Sequence, residues 1–163
     1  MKVIEMSNIL TNFFPQLQKK PDSLLKPVES ELSALEKDLK ESLFCGNIML
    51  DGIISYFFQS GGKRLRPAMV LLIGKAIGGE KAIPSVYKLA LAIEMIHTAS
   101  LIHDDVIDDA ETRRGMLTIN KKWDAKTAVI AGDYILAGAL KTLTTIGTPA
   151  VEIFANTLNE LCV

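Results

Sequence analysis

Ile96-His97-Thr98-Ala99-Ser100-Leu101-Ile102-His103-Asp104-Asp105-Val106-Ile107-Asp108-Asp109 decides how this chain is read. An apolar run ends in four carboxylates, with Glu111 just beyond. Read as the last turns of a helix, it places Asp104 and Asp108 one turn apart on one face. Asp105 and Asp109 form a second pair, rotated by about 100°. His97 lies two turns earlier on nearly the same stripe as Asp104 and Asp108. Carboxylates are the wrong sign for a helix C-terminus, where the macrodipole favours cations, and like charges one turn apart repel. A positive partner is required. Arg113 and Arg114 offer two charges, and a divalent cation supplies the rest. An all-oxygen donor set selects Mg²⁺, with Mn²⁺ second, over zinc. The competing reading is a solvated acidic turn. The apolar helix before the run and Arg-Arg-Gly after it favour a metal–phosphate site.

Outward from this stretch, the pattern is helical throughout. Leu24, Leu25, Val28, Leu32, Leu35 and Leu39 recur mostly at spacings of three and four, predicting a helix capped at Asp22 or Ser23 and running to about Leu43. Pro27 places its regular part a few residues in. Gly46-Asn47 breaks it, and a second helix spans about 48–59 before Gly61-Gly62. A third begins at Pro67 and stops at Gly78-Gly79. The longest and most buried runs from about Pro84 to Val106. Residues 107–117 read as a polar loop, about 125–146 as another apolar helix, and a last helix starts near 150 after Gly147-Thr148-Pro149. No strand-like alternation and no fixed-period repeat is visible. The expected fold is all-α, in a single domain over 1–163 with residues 1–20 as a loose arm; three successive helices apolar nearly all round suggest a bundle of central helices or burial against a partner. Its last apolar face has no following element to pack against.

The chain has 163 residues, 48% hydrophobic and 23% charged, with net charge −1. That length supports one real core, and the charge balance gives no reason to expect nucleic acid as a partner. Cys45 and Cys162 stand far apart, with no zinc or disulfide pattern. The N-terminus lacks a long apolar signal region. Charges interrupt every apolar stretch before about 20 residues, so no transmembrane helix is expected. Together these point to a reducing, cytoplasmic setting.

A second cluster, Gly61-Gly62-Lys63-Arg64-Leu65-Arg66-Pro67, brings three cations to a helix start. The glycines permit close backbone approach, a helix N-terminus favours anions, and Arg grips phosphate bidentately. By itself the cluster equally fits a helix stop followed by solvated charges. It lacks the P-loop spacing. Paired with the acidic stretch it suggests two diphosphate subsites, one gripped directly by basic groups and one through a bridging cation. His97 then reads as a phosphate hydrogen-bonder or a satisfied core residue; His103 reads as a support behind the ligand-contacting residues or as structural.

The Gly61–Pro67 turn, His97, Asp104-Asp105-x-x-Asp108, Arg113-Arg114-Gly115 and Gly132-Asp133-Tyr134 together resemble the trans-isoprenyl diphosphate synthases, or polyprenyl synthetases, over about residues 45–160. The resemblance implies the all-α isoprenoid synthase fold, a bundle of antiparallel helices around a central cavity, usually in a homodimer. It also implies Mg²⁺-dependent condensation of isopentenyl diphosphate with an allylic diphosphate. By carry-over, Lys63, Arg66, His97 and Arg114 bind isopentenyl diphosphate and Arg113 binds the allylic diphosphate. Asp104 and Asp108 hold the metal, with Asp105 assisting. Small residues at Ala99 and Ser100, before the carboxylates, are similar to those of long-chain synthases. The family's second Asp-rich motif has no counterpart after Asp133, so the chain looks like the N-terminal half of such an enzyme. The alternative is a non-catalytic subunit or fragment that pairs, as a heterodimer, with a catalytic prenyltransferase. A terpene cyclase fits less well, since it has no need of a second diphosphate site.

Overall fold

The computed structural model describes residues 24–161 and 163. The expected N-terminal arm and the Asp22/Ser23 cap lie outside the described residues. After a 3₁₀ turn at Lys26–Val28 come α1 (Glu29–Leu43), α2 (Ile48–Gln59), α3 (Leu65–Gly78) and α4 (Ile83–Ile107). They are followed by two-residue strands β1 (Thr112–Arg113) and β2 (Met116–Leu117), then α5 (Ile119–Lys122), α6 (Ala125–Thr144) and α7 (Thr148–Leu161). The fold is all-α apart from this one small hairpin.

Local chemistry sets the boundaries. Asn47 caps α2, its side-chain oxygen accepting from the Met49 and Leu50 N–H groups at 3.1 Å. Asp124 does the same for α6 through Thr127 N–H at 2.6 Å. Gly79 ends α3 with φ +63. The expected start of α3 at Pro67 moves back to Leu65, which follows Arg64 in a left-handed conformation at φ +49. Pro67 is then the third helical residue, still within the first turn, whose N–H groups have no intrahelical acceptor.

α4 is the axis of the molecule. It packs most extensively on α6, next on α3, and also touches α1. α6 buries Ala128, Ala131, Gly132, Ile135, Ala139 and Leu143, a stripe at spacings of one, three and four. The small members of that stripe let the two helices approach closely. Gly132 is the tightest point: a Cβ there would overlap the His103 ring. His103 therefore lies against α6, near Val129 O and Asp133, and is structural as expected. Leu35, Leu39 and Leu43 of α1, Leu71 of α3 and Met95, Ala99 and Ile102 of α4 complete one core.

The helix Glu80–Ile107, α4 with its leading turn, is long and apolar enough by length and composition to cross a membrane. The sequence expectation was that no stretch would be. α3 and α6 pack against it, 39% of its apolar window is buried inside the protein, and its buried Glu94 is paired with Arg64 at 2.9 Å.

Candidate diphosphate and metal site

The turn between α2 and α3 is built for exposure of charge. Gly61 takes φ +64 and Arg64 φ +49, so the backbone reverses tightly before α3. Lys63 and Arg66 point to solvent. Arg64 does not. Its Nε and Nη2 donate to Glu36 at 2.6 and 2.9 Å, its Nη1 donates to Glu94 at 2.9 Å, and its side chain is only 10% exposed. The expectation of three cations presented together at this helix start is corrected to two, with the third turned into the protein.

A third surface cation comes from the hairpin. β1 and β2 pair antiparallel, Thr112 with Leu117 and Arg113 with Met116. The two-residue connection, Arg114-Gly115, has φ +53 and +79. Two positive φ values in succession match the type I′ turn that suits the twist of a two-residue hairpin. Arg114 is an unusual residue for its position, where Asn is favoured. The polar loop expected over 107–117 thus contains an ordered device that aims a guanidinium back at the α2–α3 turn. A Cβ on Gly62 would sit 2.7 Å from Arg64 Nη1 and 2.8 Å from Arg114 Nη1. Only glycine lets both guanidinium groups lie against that backbone.

Gly62, Lys63, Arg64, Arg66, Glu94, His97 and Arg114 line one open cleft of about 510 Å³. All four residues expected to hold isopentenyl diphosphate are therefore together. Arg66 Nη1 lies 3.1 Å from His97 Nε2. Burial, then the Arg66 guanidinium, hold the His97 imidazole below its ordinary pKa, with Glu94 pulling the other way. A neutral ring accepts from Arg66 and leaves the guanidinium's other N–H groups for an anion.

The acidic end of α4 divides its carboxylates. Asp105 is 4% exposed and accepts three hydrogen bonds, from Arg113 Nε at 2.9 and 3.0 Å and from Nη2 at 2.8 Å. This pairing holds the Arg113 pKa above its ordinary value. Asp109, left-handed at φ +49, pairs with Lys121 at 2.6 Å. Asp104 and Asp108 are exposed and have no ion pair among the described residues. Arg113 and Arg114 were expected to neutralise the run together. Instead Arg113 takes Asp105, Arg114 leaves for the basic cleft, and Lys121, not foreseen, takes Asp109. Asp105 and Arg113, expected to assist the metal and to hold the allylic diphosphate, are bonded to each other, with Arg113 Nη1 not used in that pair.

Among the described residues no group of three or more His, Cys, Asp or Glu side chains converges as a metal cage. The Asp104–Asp108 set still fits Mg²⁺, which commonly takes one or two carboxylates and completes its shell with phosphate oxygens and water. Two unpaired carboxylates one turn apart at the negative end of a helix are the arrangement such an ion relieves. Ala99 and Ser100 part company: Ala99 is 1% exposed within the core, whereas Ser100 is exposed and its hydroxyl donates to His97 O at 2.9 Å.

Behind the hairpin, Tyr56 O–H donates to Leu117 O at 2.9 Å, and its ring meets Trp123 edge-on at 5.2 Å. The Lys122 ammonium sits 3.4 Å from the Tyr56 ring centre and 4.8 Å from that of Trp123. Thr118 Oγ1 donates to Ala110 O at 2.7 Å, and Asn120 Nδ2 to Asp105 O at 3.2 Å. These contacts fix the hairpin to α2 and to the end of α4.

Residues 47–163 match the family model of the polyprenyl synthetases, and the chain belongs to that family. It is 42% identical over 136 residues to heptaprenyl diphosphate synthase component 2 of Bacillus subtilis, covering 83% of this chain and 38% of that protein. It is 39% identical over 160 residues to decaprenyl-diphosphate synthase of Dictyostelium discoideum, covering 88% and 35%. The crystal structure of heptaprenyl diphosphate synthase from Staphylococcus aureus superposes with TM-score 0.77 at 35% identity, over 83% of this chain and 43% of that one. The fold is therefore the isoprenoid synthase fold. The chain spans less than half the length of these relatives.

Proposed function

We propose that this chain carries the substrate- and metal-binding half of a Mg²⁺-dependent trans-prenyltransferase, which condenses isopentenyl diphosphate with an allylic diphosphate into a long all-trans polyprenyl diphosphate. One observation carries the reading: a cationic cleft and a carboxylate pair with no ion partner among the described residues lie about two helical turns apart along α4, His97 in the one and Asp104 in the other. Lys63, Arg66, His97 and Arg114 suit direct grip of one diphosphate. Asp104 and Asp108 would hold Mg²⁺, which supplies the charge that stabilises a departing allylic diphosphate. Arg113, through its unused Nη1, is placed to add to that charge. The apolar helices keep water from a carbocation formed between the two sites.

Equilibrium binding tests this directly. The reading expects isopentenyl diphosphate to bind without added metal and farnesyl diphosphate to bind only with Mg²⁺. Metal dependence shared equally by both ligands would overturn it.

A second reading is that the polypeptide acts as one member of a heteromer. Relatives in Bacillus subtilis and Geobacillus stearothermophilus are named heptaprenyl diphosphate synthase component 2, which favours this possibility. Turnover of the chain alone, set against turnover after mixing with a full-length relative, separates the two readings.

A further inference from the structure

The cleft holds a residue of the wrong sign. Glu94 lines it beside His97, one helical turn away on α4, yet an anion-binding cleft has no use for an exposed carboxylate. Its charge does not stand alone. Arg64 Nη1 reaches it at 2.9 Å, and both side chains are nearly closed to solvent, at 6% for Glu94 and 10% for Arg64. The same guanidinium makes two further bonds to Glu36 on α1 and lies 5.8 Å from the Phe58 ring centre on α2. Arg64 thus ties three helices to the turn that carries Lys63 and Arg66. To do so it holds a left-handed backbone that a residue with a Cβ rarely adopts.

We propose that Arg64 is a positioning residue of the diphosphate cleft. It neutralises the Glu94 carboxylate in the cleft wall, so that an incoming diphosphate meets the cationic Lys63, Arg66 and Arg114 beside His97, and it anchors the turn that presents the first two. The proposal rests on the reading of this cleft as the isopentenyl diphosphate site and adds a residue that reading does not use. Arg64 also lines the cleft, but three of its five guanidinium N–H groups are spent on Glu36 and Glu94, which suits it to holding the turn and Glu94 rather than to gripping the ligand. Its effect on the ligand runs through Glu94. An unmasked carboxylate in a cleft of low dielectric repels a diphosphate far more than one in water.

The test is a mutant cycle on the full 163-residue chain, read by calorimetric binding of isopentenyl diphosphate. Arg64→Met keeps an unbranched apolar stem and removes the guanidinium; it should weaken binding at least tenfold. Adding Glu94→Gln to that variant should recover binding to within about threefold of the parent. Glu94→Gln alone should leave affinity equal or tighter. A purely architectural role for Arg64 would not be reversed by removing a second charge. Unchanged binding in Arg64→Met, or no recovery in the double variant, overturns the proposal. If Arg64→Met shows no cooperative thermal transition, Glu94→Gln alone decides, and a tenfold loss in that variant refutes the masking role. Lys63→Ala reports separately on the cleft itself: retained binding there, or no binding by the parent, removes the underlying reading and this inference with it.

Discussion

The two charged clusters of this molecule handle their charge in opposite ways. In the basic turn, the inward residue Arg64 is locked by Glu36 and Glu94. At the acidic end, alternate carboxylates are locked, Asp105 by Arg113 and Asp109 by Lys121, while Asp104 and Asp108 have no ion pair among the described residues. Each end therefore contains a structural subset and a working subset of like-charged residues, interleaved in sequence. The difference lies in what the working subset lacks. The basic cleft turns its cationic side chains to one space. The acidic end has negative charge left over at a helix terminus that disfavours it, which a bound cation would offset.

The largest expected effect separates the ends outright. Asp104→Asn with Asp108→Asn should abolish all Mg²⁺-dependent binding of farnesyl diphosphate in calorimetry. Binding of isopentenyl diphosphate should be unaltered, and the melting temperature equal or higher, because repulsion is relieved. Equal metal dependence in variant and parent would remove Asp104 and Asp108 from the metal site. Next, Asp105→Asn should destabilise the fold by about 3 kcal/mol in urea unfolding, the low end for a broken buried pair, because Arg113 keeps some solvent. A change below about 1 kcal/mol would erase the distinction between locked and unpaired carboxylates.

Lys63→Ala or Arg66→Ala should weaken isopentenyl diphosphate binding by about 1.5–3 kcal/mol per lost charged hydrogen bond. The allylic ligand should be nearly unaffected, and parallel losses for both ligands would merge the two sites into one. Ala99→Phe should cost about 1–3 kcal/mol in stability through overpacking of a buried position. Ser100→Phe, on the exposed face, should cost much less. Introduced into a complete synthase, Ser100→Phe should shorten the products seen by chromatography, whereas an unchanged distribution would mean the product does not pass residue 100.

The smallest effect is in pH. His97 is held below its ordinary pKa of 6.5, chiefly by burial and then by Arg66. As pH falls through that ordinary value, the unfolded chain takes up the proton first, so stability declines until the folded ring also protonates. His97→Gln should lose less stability than the parent between pH 7.5 and pH 5. An identical loss would show that His97 is not desolvated in the native cleft.

Helix periodicity made the bundle legible before any coordinates. The bounds of α2, and those of α4 to within a residue, follow from the apolar spacing and the glycines that interrupt it. Residues 112–117 were not legible: two-residue strands carry no alternation to read, and Arg114 stands where Asn would signal the turn. Lys63, Arg66, His97 and Arg114 could be grouped through the family resemblance, and the structure does bring them into one cleft. Arg64 was misread because a guanidinium between Lys63 and Arg66 looks like a third surface charge. Its inward course depends on Glu36 and Glu94, which lie 28 and 30 residues away and carry no mark in the sequence. Lys121 was missed for the same reason: it reaches Asp109 only because the hairpin folds back.

The aromatic corner behind the hairpin has an optical consequence. Trp123 is the chain's only tryptophan. It lies against Tyr56, whose hydroxyl holds β2, and beneath the Lys122 ammonium. A cation close to an indole ring shifts and quenches its emission, so the fluorescence of this chain reads the seating of the hairpin. Arg113 and Arg114 ride on that hairpin. A diphosphate or a metal ion that draws either guanidinium should therefore register as a change in intrinsic fluorescence, with no label attached and no substitution made.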